Sequence, residues 1–225
     1  MTSTGKQMTE KISNAERYRQ ERKQQVKDRR TGILNAAQEL FLEKGLEKTS
    51  MQDIAEKARI SKVTLYRYFP DRHPIAFETA VRMLRRIVTV SAEGIPEDEE
   101  KTGALKAFCT NMIDRFDILR DAYRYIGMFD HLYGDSYPAE DLASWYKSHI
   151  FDLYSDRYLP VSRNDLNEGE TDRITTLGNT VMSFLEKMAA RGELMGTEQE
   201  VPLERQLAVF RDFISRSFDS FIKGG

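Results

Sequence analysis

The chain has 225 residues, 40% of them hydrophobic and 31% charged, a composition typical of soluble globular proteins with one or two domains. A single cysteine, Cys109, excludes an internal disulfide and a Cys-rich zinc site, and the three histidines are too scattered for a local metal motif. No apolar run approaches the ~20 residues of a membrane span, which excludes a membrane helix. The formal net charge is −2, but residues 1–86 hold 19 Lys and Arg against 11 Asp and Glu, and residues 87–225 hold 15 against 25. The basic first third predicts a polyanionic partner, with an accidental asymmetry of solvated helix faces as the alternative.

Residues 1–26 are polar and rich in Lys, Arg, Gln and Glu. This composition is typical of either a basic N-terminal arm or a frayed helical extension. The segment has no apolar stretch of the kind found in secretory signals, so we expect a cytoplasmic location. We also expect no metal, no cofactor and no membrane contact.

Helical periodicity begins after Asp28. The segment ends at Gly45, which is a plausible helix C-terminal residue. Ser50 followed by Asp53 has the form of a capping box, so a second helix is predicted to begin there. The apolar residues at helical spacing in the first segment are Ile33, Leu34, Ala37, Leu40 and Phe41.

A three-residue turn, Arg59-Ile60-Ser61, separates the second helix from a short third helix. Ser61 can cap this third helix, and Phe69-Pro70 ends it because proline disfavours helical geometry in the preceding residue. Two short helices joined in this way form a helix-turn-helix, over residues 50–69, whose second helix can enter the major groove of DNA. Asp71 then caps a longer helix, predicted over residues 71–90.

The candidate DNA-binding residues lie on the third helix, in the turn and near helix N-termini. Lys62 and Arg67 can reach guanine edges or phosphates, and tyrosine hydroxyls can donate to phosphates. The alternatives are solvated charges and core aromatics, and Phe69 is interpreted as a core residue. The full candidate set is Thr49, Ser50, Arg59, Ser61, Lys62, Val63, Thr64, Tyr66, Arg67, Tyr68 and Arg72.

The run TSMQDIAEKARISKVTLYRYFPDRHPIAF, residues 49–77, resembles the helix-turn-helix signature of TetR-type transcriptional regulators. The resemblance covers residues 27–87 and departs from the usual pattern where Arg59 and Val63 replace glycines. A non-glycine residue at positive φ is strained, so the turn is either adjusted or tolerates the strain. The resemblance implies an all-α chain with a three-helix helix-turn-helix DNA-binding domain over 27–87. It also implies a helical domain over 88–225 that dimerises and binds a small effector.

After a linker at residues 91–102, the chain is predicted to be helical over 102–118, 119–133, 138–158, 171–192 and 202–222, with a loop at 160–171. Apolar stripes on the last two helices predict an intermolecular four-helix bundle, unless they complete the chain's own core. The predicted dimer-interface residues are Leu177, Val181, Phe184, Leu207, Phe210, Phe213 and Ile214.

Residues 123–158 are rich in aromatic side chains. Together with nearby methionines they predict an apolar cavity for a hydrophobic or aromatic effector, although aromatics at helical spacing more often form core. The candidate ligand-binding residues are Met112, Phe116, Tyr125, Met128, Phe129, His131, Trp145 and His149.

These observations predict a homodimeric, ligand-responsive repressor that leaves a palindromic operator when its effector binds. An interaction protein that binds DNA or a protein partner without an effector is the alternative. An enzyme is not expected, because the sequence has no glycine-rich phosphate loop, nucleophile elbow or His-Glu metal motif. Basic residues of the N-terminal segment either touch DNA or stay solvated. They are Arg17, Arg19, Arg22, Lys23, Arg29 and Arg30.

Overall fold

All regular secondary structure in the described part of the chain is α-helical, which confirms the all-α prediction. The structure is a computed structural model and describes residues 14–96, 99, 101–134, 168–191 and 201–223. Eight helices lie within these ranges. They are α1 (Asn14–Lys44), α2 (Met51–Lys57), α3 (Lys62–Tyr68), α4 (Arg72–Ala92), α5 (Lys101–Asp114), α6 (Phe116–Tyr133), α7 (Glu168–Arg191) and α8 (Leu203–Lys223).

The predicted N-terminal caps of three helices are present. The Ser50 hydroxyl accepts from the Asp53 amide, and the Asp53 carboxylate accepts in return from the Ser50 amide, so α2 begins with a complete capping box. The Ser61 hydroxyl accepts from the Thr64 amide at 3.1 Å at the start of α3. The Asp71 carboxylate accepts from the second residue of α4 at 2.8 Å. Each cap satisfies amides that have no partner within their own helix.

One core runs from α1 through α4 to the last two helices. Helices α2 and α3 are only seven residues long, too short to be stable alone, and Ile54, Leu65 and Phe69 anchor them because all three are fully buried. On the other side of α4, the Tyr125 hydroxyl donates to the Ala76 carbonyl at 2.9 Å. Helix α4 therefore contacts α1, which packs on α2, on one side and α5 and α6 on the other.

Helix α1 begins well before the expected boundary. Residues 14–26, for which the sequence left an arm or a helical extension open, are helical and continuous with the rest of α1. At 1.5 Å per residue, the 31 residues of α1 span about 46 Å. The side chains of residues 16–29 are exposed, so this extension projects beyond the core.

Three predicted boundaries are wrong. The break between α5 and α6 lies at Arg115 rather than at residues 118–119, because the Arg115 guanidinium bonds the end of α4 at Val90 and Glu93. Helix α7 begins at Glu168, so the predicted loop over 160–171 is helical at its end. Helix α4 extends through Ala92, into the predicted linker. The predicted helix over 138–158 lies outside the described residues.

Candidate nucleic-acid interface

Helix α3 presents two different faces. Leu65 is fully buried in the core, whereas Val63 is 81% exposed and Tyr66 51% exposed. Lys62 and Arg67 are exposed beside them. The outer face of α3 therefore offers two cations, an aliphatic tip and a phenol to any partner, and each of these can contact a base edge or a phosphate.

Arg30 of α1 holds the C-terminal end of α3 in place. Its guanidinium donates to the Tyr68 carbonyl at 3.2 Å and lies 4.1 Å above the ring centre of Phe69. The same group forms an ion pair with Glu78 of α4, with an Nε–Oε2 distance of 3.0 Å. Arg30 thus joins α1, α3 and α4, and the expectation that it belongs to a DNA-contacting or solvated arm is wrong.

The turn between α2 and α3 keeps the conformation that normally requires glycine. Arg59 has φ of +54° and is the one non-glycine residue with positive φ in the described part of the chain. The amides of Arg59 and Ile60 donate to the carbonyls of Glu56 and Ala55, both at 3.0 Å. This is a Schellman motif, in which the left-handed residue is usually glycine. The Arg59 side chain is exposed next to α3.

Two predicted DNA contacts have structural partners instead. Thr49 is buried, and its hydroxyl donates to the Gly45 carbonyl at 2.8 Å. The Arg72 guanidinium donates to the carbonyls of Leu46 at 2.9 Å and Glu47 at 2.8 Å. These carbonyls follow the last residue of α1, so both side chains stabilise the loop between α1 and α2. The expectation that the Thr49 hydroxyl and the Arg72 guanidinium point towards DNA is contradicted.

The other predicted contacts divide in two. Ser50 is exposed, but its hydroxyl and amide are bonded to Asp53; these bonds, with Lys44 beside them, lower the pKa of Asp53 to about 2. Thr64 is half-buried, as is Tyr68. Arg67 lies beside Tyr68, 5.9 Å from its ring centre. Apart from Ser50, the exposed residues of the set cluster on α3, its cap and the preceding turn. They are Arg59, Ser61, Lys62, Val63, Tyr66 and Arg67.

Most of the predicted ligand-binding residues in the described part of the chain have core roles. Tyr125 is buried and bonded to α4, and burial raises its pKa well above the usual value. Phe129 packs edge-on against Phe77 at 4.9 Å between ring centres. Met112 and Phe116 are buried in the same core, Met128 is half-buried and His131 is exposed. Trp145 and His149 lie outside the described residues.

The predicted dimer-interface residues do not share one face. Val181 and Ile214 are fully buried in the chain's own core, so their assignment to an intermolecular interface is wrong. Phe184 of α7 stacks on Phe210 of α8, with ring centres 3.8 Å apart. Phe213 is 55% exposed. Leu177 and Leu207 are partly buried against the core.

The prediction missed exposed apolar residues at the start of α8. Val209 is 65% exposed, and Val201 is also exposed. With Phe213 they line an open groove of about 800 Å³. The apolar stripe in the sequence marks the buried side of α8, but it is wider than one buried face requires. This width is the signal for a second, exposed apolar strip on the same helix. We call Val201, Val209 and Phe213 the α8 outer strip.

Two further titratable groups are buried without an evident chemical role. Burial, and then the nearby carboxylate of Asp130, raise the pKa of Glu186 to about 7. Burial raises the pKa of Cys109 to about 12, which leaves it protonated and unreactive at neutral pH. Among the described residues no group of three His, Cys, Asp or Glu side chains could hold a metal ion. Nor is any helix in these ranges long and apolar enough to cross a bilayer.

Comparison with known proteins finds a similarity over the helix-turn-helix. Residues 33–78, which contain α2, α3 and parts of α1 and α4, match the family model described as bacterial regulatory proteins, tetR family. The HTH-type transcriptional regulator HbdR of Aromatoleum sp. (strain CIB) is 32% identical over 103 residues. Over the helix-turn-helix, this chain is therefore similar to TetR-type regulators. The match with HbdR covers 44% of this chain and 45% of HbdR, which is less than half of either protein.

Solved TetR-family structures share the fold over most of the chain. A regulator from Marinobacter aquaeolei VT8 is 16% identical, with a TM-score of 0.57 over 88% of this chain and 95% of its own. A regulator from Rhodococcus sp. RHA1 gives the same identity and TM-score over 88% and 96%. PfmR from Thermus thermophilus is 24% identical, with a TM-score of 0.51 over 82% and 94%. These solved structures are named as regulators, and at these identities the likeness shows the fold.

Proposed function

We propose that this chain is a TetR-family regulator and acts as a homodimeric DNA-binding repressor whose operator is read by α3. The observation that carries the proposal is the division of α3 into a fully buried side, at Leu65, and an outer side that exposes Lys62, Val63 and Tyr66. A helix anchored in this way can dock as a rigid body. Its outer side chains supply hydrogen-bond donors and methyl groups, which can contact the acceptors and thymine methyls that base edges present in the major groove.

Each outer residue of α3 has a chemically suitable target. Lys62 and Arg67 donate to guanine acceptors or to phosphates, and the Val63 methyls contact a thymine methyl. The Tyr66 hydroxyl donates to a phosphate oxygen. Arg59, exposed in the turn before α3, adds a phosphate contact. Base contacts then come from α3 and positioning contacts from its surroundings.

A dimer would supply two such helices. The α8 outer strip leaves large apolar side chains in water, and a second copy of the chain packed against α7 and α8 would bury them in a four-helix bundle. Two recognition helices related by a two-fold axis would contact successive major grooves about 34–36 Å apart, on a palindromic operator.

The proposed regulation passes through α4. Its first residue, Arg72, is tied to the loop before α2, and Glu78 is tied to α1 and α3 through Arg30. Its other side packs on α5 and α6. A hydrophobic or aromatic effector among the C-terminal helices would release DNA by favouring a conformer in which α4, and with it α3, is displaced. Such an effector must bind the two conformers with different affinities.

The DNA-reading surface is tested with a duplex selected by the purified chain from a random library. Lys62→Ala and Tyr66→Ala should each weaken binding to the selected duplex by about 1–3 kcal/mol, which is roughly tenfold to a hundredfold. Lys187→Ala, which removes an exposed lysine from α7, is the matched control and should bind as tightly as the wild type. Unchanged binding by a double variant that circular dichroism shows to be folded would refute the proposed reading surface.

An effector-free regulator is the second candidate, because four of the predicted ligand contacts are buried in the core. Titration of the protein–duplex complex with planar aromatic compounds separates the two candidates. Release of the duplex at saturating compound supports ligand-responsive repression. Retention of the duplex by every compound that binds the protein favours constitutive binding.

A further inference from the structure

A groove of about 1070 Å³ lies between the N-terminal half of α1 and the recognition helix α3. Helix α1 contributes Arg22, Val26 and Arg29, whose spacing of three and four residues places them on one helix face. Helix α3 contributes Arg67 and Tyr68 from its last turn. The groove is open to solvent along its length and runs directly beside the surface that reads DNA in the proposed function.

The groove is strongly basic. Among the described residues, Arg22, Arg29 and Arg67 form no ion pair. Asp28 is the one carboxylate among the described residues that line the groove, and its Oδ1 accepts from the side-chain Nε2 of Gln24 at 2.7 Å. Three unpaired guanidinium groups and one carboxylate therefore line a channel that the described residues leave open.

The extension of α1 has little of its own chain to pack against. Residues 14–32 contain seven Lys and Arg against three Asp and Glu, and the side chains of residues 16–29 are exposed. A helix that is polar on all sides buries no apolar face, so packing against its own core does not explain its position. A polyanion in the groove would explain both the charge and the helical continuation.

We propose that the groove holds the sugar–phosphate backbone that borders the major groove occupied by α3. Arg22 and Arg29 would clamp the strand from α1, and Arg67 from α3, because the planar guanidinium group bonds phosphate oxygens in a bidentate manner. The contact is independent of sequence, so it adds affinity and fixes the orientation of α3 without reading bases. This inference rests on the proposed DNA-binding function and adds a second contact element to it.

The test compares two full-length double variants that lose the same charge from α1. Arg22→Ala with Arg29→Ala removes two cations from the groove, whereas Arg17→Ala with Lys27→Ala removes two cations from other faces of the helix. Both changes favour helix formation, since alanine has the highest helix propensity, and circular dichroism checks this. Affinity for the selected duplex and for a scrambled duplex is measured by fluorescence anisotropy at salt concentrations from about 50 to about 200 mM, the range over which phosphate contacts dominate the change.

The groove variant should lose affinity for both duplexes by the same factor. The slope of log affinity against log salt should fall by about 4, since two arginines on each of two protomers each release about 0.9 counterions. In hydroxyl-radical footprints, protection of the backbone beside each half-site should disappear. The control variant should retain that protection and most of the slope.

Equal losses in the two variants would show that only the net charge of α1 matters and would overturn the proposal. An unchanged slope in the groove variant, while the wild type still binds its duplex, would overturn the groove and leave the reading surface intact. If the wild type itself bound no duplex even at the lowest salt concentration, the proposed function would fail, and the groove proposal with it.

Discussion

The helix-turn-helix and α8 use apolar residues in opposite ways. In the helix-turn-helix the large apolar side chains Ile54, Leu65 and Phe69 are fully buried, and the outer surface is mainly polar and basic. In α8, Ile214 and Phe218 are buried while Val209 and Phe213 remain exposed. The first region completes its core within one chain and meets a polar partner. The second leaves part of its apolar surface uncovered, which favours an apolar partner.

The charge distribution sharpens the same contrast. Residues 1–86 have an excess of eight cations and residues 87–225 an excess of ten anions. An acidic surface repels the phosphates that a basic one attracts, so the field of the molecule favours an approach to DNA with the helix-turn-helix first. In that orientation the exposed apolar residues of α8 would point away from the nucleic acid, where a second protomer could cover them.

The largest expected effect comes from making the α8 outer strip charged. Val209→Glu with Phe213→Glu should convert a dimer into a folded monomer, since burial of these two side chains is worth about 3–6 kcal/mol. Sedimentation equilibrium measures the mass, and anisotropy measures binding to the selected duplex. Binding should fall with dimerisation, because one protomer contacts only one half-site.

The control for this change is Ile118→Glu on α6, where the replaced side chain is also exposed, at 58%. That variant should dimerise and bind the duplex as the wild type does. A wild type that is monomeric at micromolar concentration, or a dimer that survives both glutamates, would contradict the assignment of the α8 outer strip to a protomer interface.

Within α3 and its C-terminal cap, the comparison is between buried and exposed residues. Phe69→Ala should lower the free energy of unfolding by about 3–5 kcal/mol, because the ring is fully buried and also lies beneath the Arg30 guanidinium. Val63→Ala should change it by less than about 0.5 kcal/mol, because its side chain is in solvent. Urea denaturation followed by circular dichroism measures both. Similar losses in the two variants would mean that α3 is not anchored on one side only.

The packing of α6 on α7 should make stability depend on pH. Burial and the Asp130 carboxylate raise the pKa of Glu186 from 4.5 to about 7. Between these values the folded chain holds a proton that the unfolded chain has released. Stability therefore falls as pH rises through this window and stays lower above it. After allowance for partial solvent screening, the free energy of unfolding should fall by about 1–3 kcal/mol across this pH window.

Glu186→Gln removes this titration. Thermal melts from about pH 5 to about pH 8, a range that spans the raised pKa, should show a larger loss of stability in the wild type than in the variant. If the two curves run parallel, Glu186 titrates in the folded chain as it does in the unfolded one, and its contact with α6 is looser than the structure shows.

Local signals in the sequence predicted the features that depend on a few neighbouring residues. The capping box of Ser50 and Asp53 and the caps at Ser61 and Asp71 all involve residues two or three positions apart, so their spacing alone specifies them. The end of α3 before Phe69 follows equally from Pro70, because proline disfavours helical geometry in the preceding residue. The proposed reading surface is predictable for the same reason, because α3 is short and its inner side is marked by large apolar residues.

Contacts between distant parts of the chain could not be predicted. Arg72 bonds a carbonyl 26 residues earlier, and Arg30 bonds Glu78, 48 residues later, so nothing in the local pattern distinguishes them from DNA-contacting arginines. On α8, periodicity shows that an apolar face exists but not how far around the helix the core extends. For that reason the periodicity places Ile214, which is buried, at the interface and does not indicate Val209, which is exposed.

The smallest expected effect separates strain from charge at the turn before α3. Arg59→Gly should raise the free energy of unfolding by up to about 1 kcal/mol, because glycine relieves the left-handed backbone but loses more entropy on folding. Arg59→Ala keeps the strain and should leave stability unchanged. If Arg59 contacts a phosphate, both variants should lose affinity for the selected duplex equally, and the salt dependence of binding should fall equally in both. A loss of affinity in the glycine variant alone would show instead that the strained turn sets the position of α3. Binding by the reading helix would then depend on backbone geometry and not on the charge of the arginine.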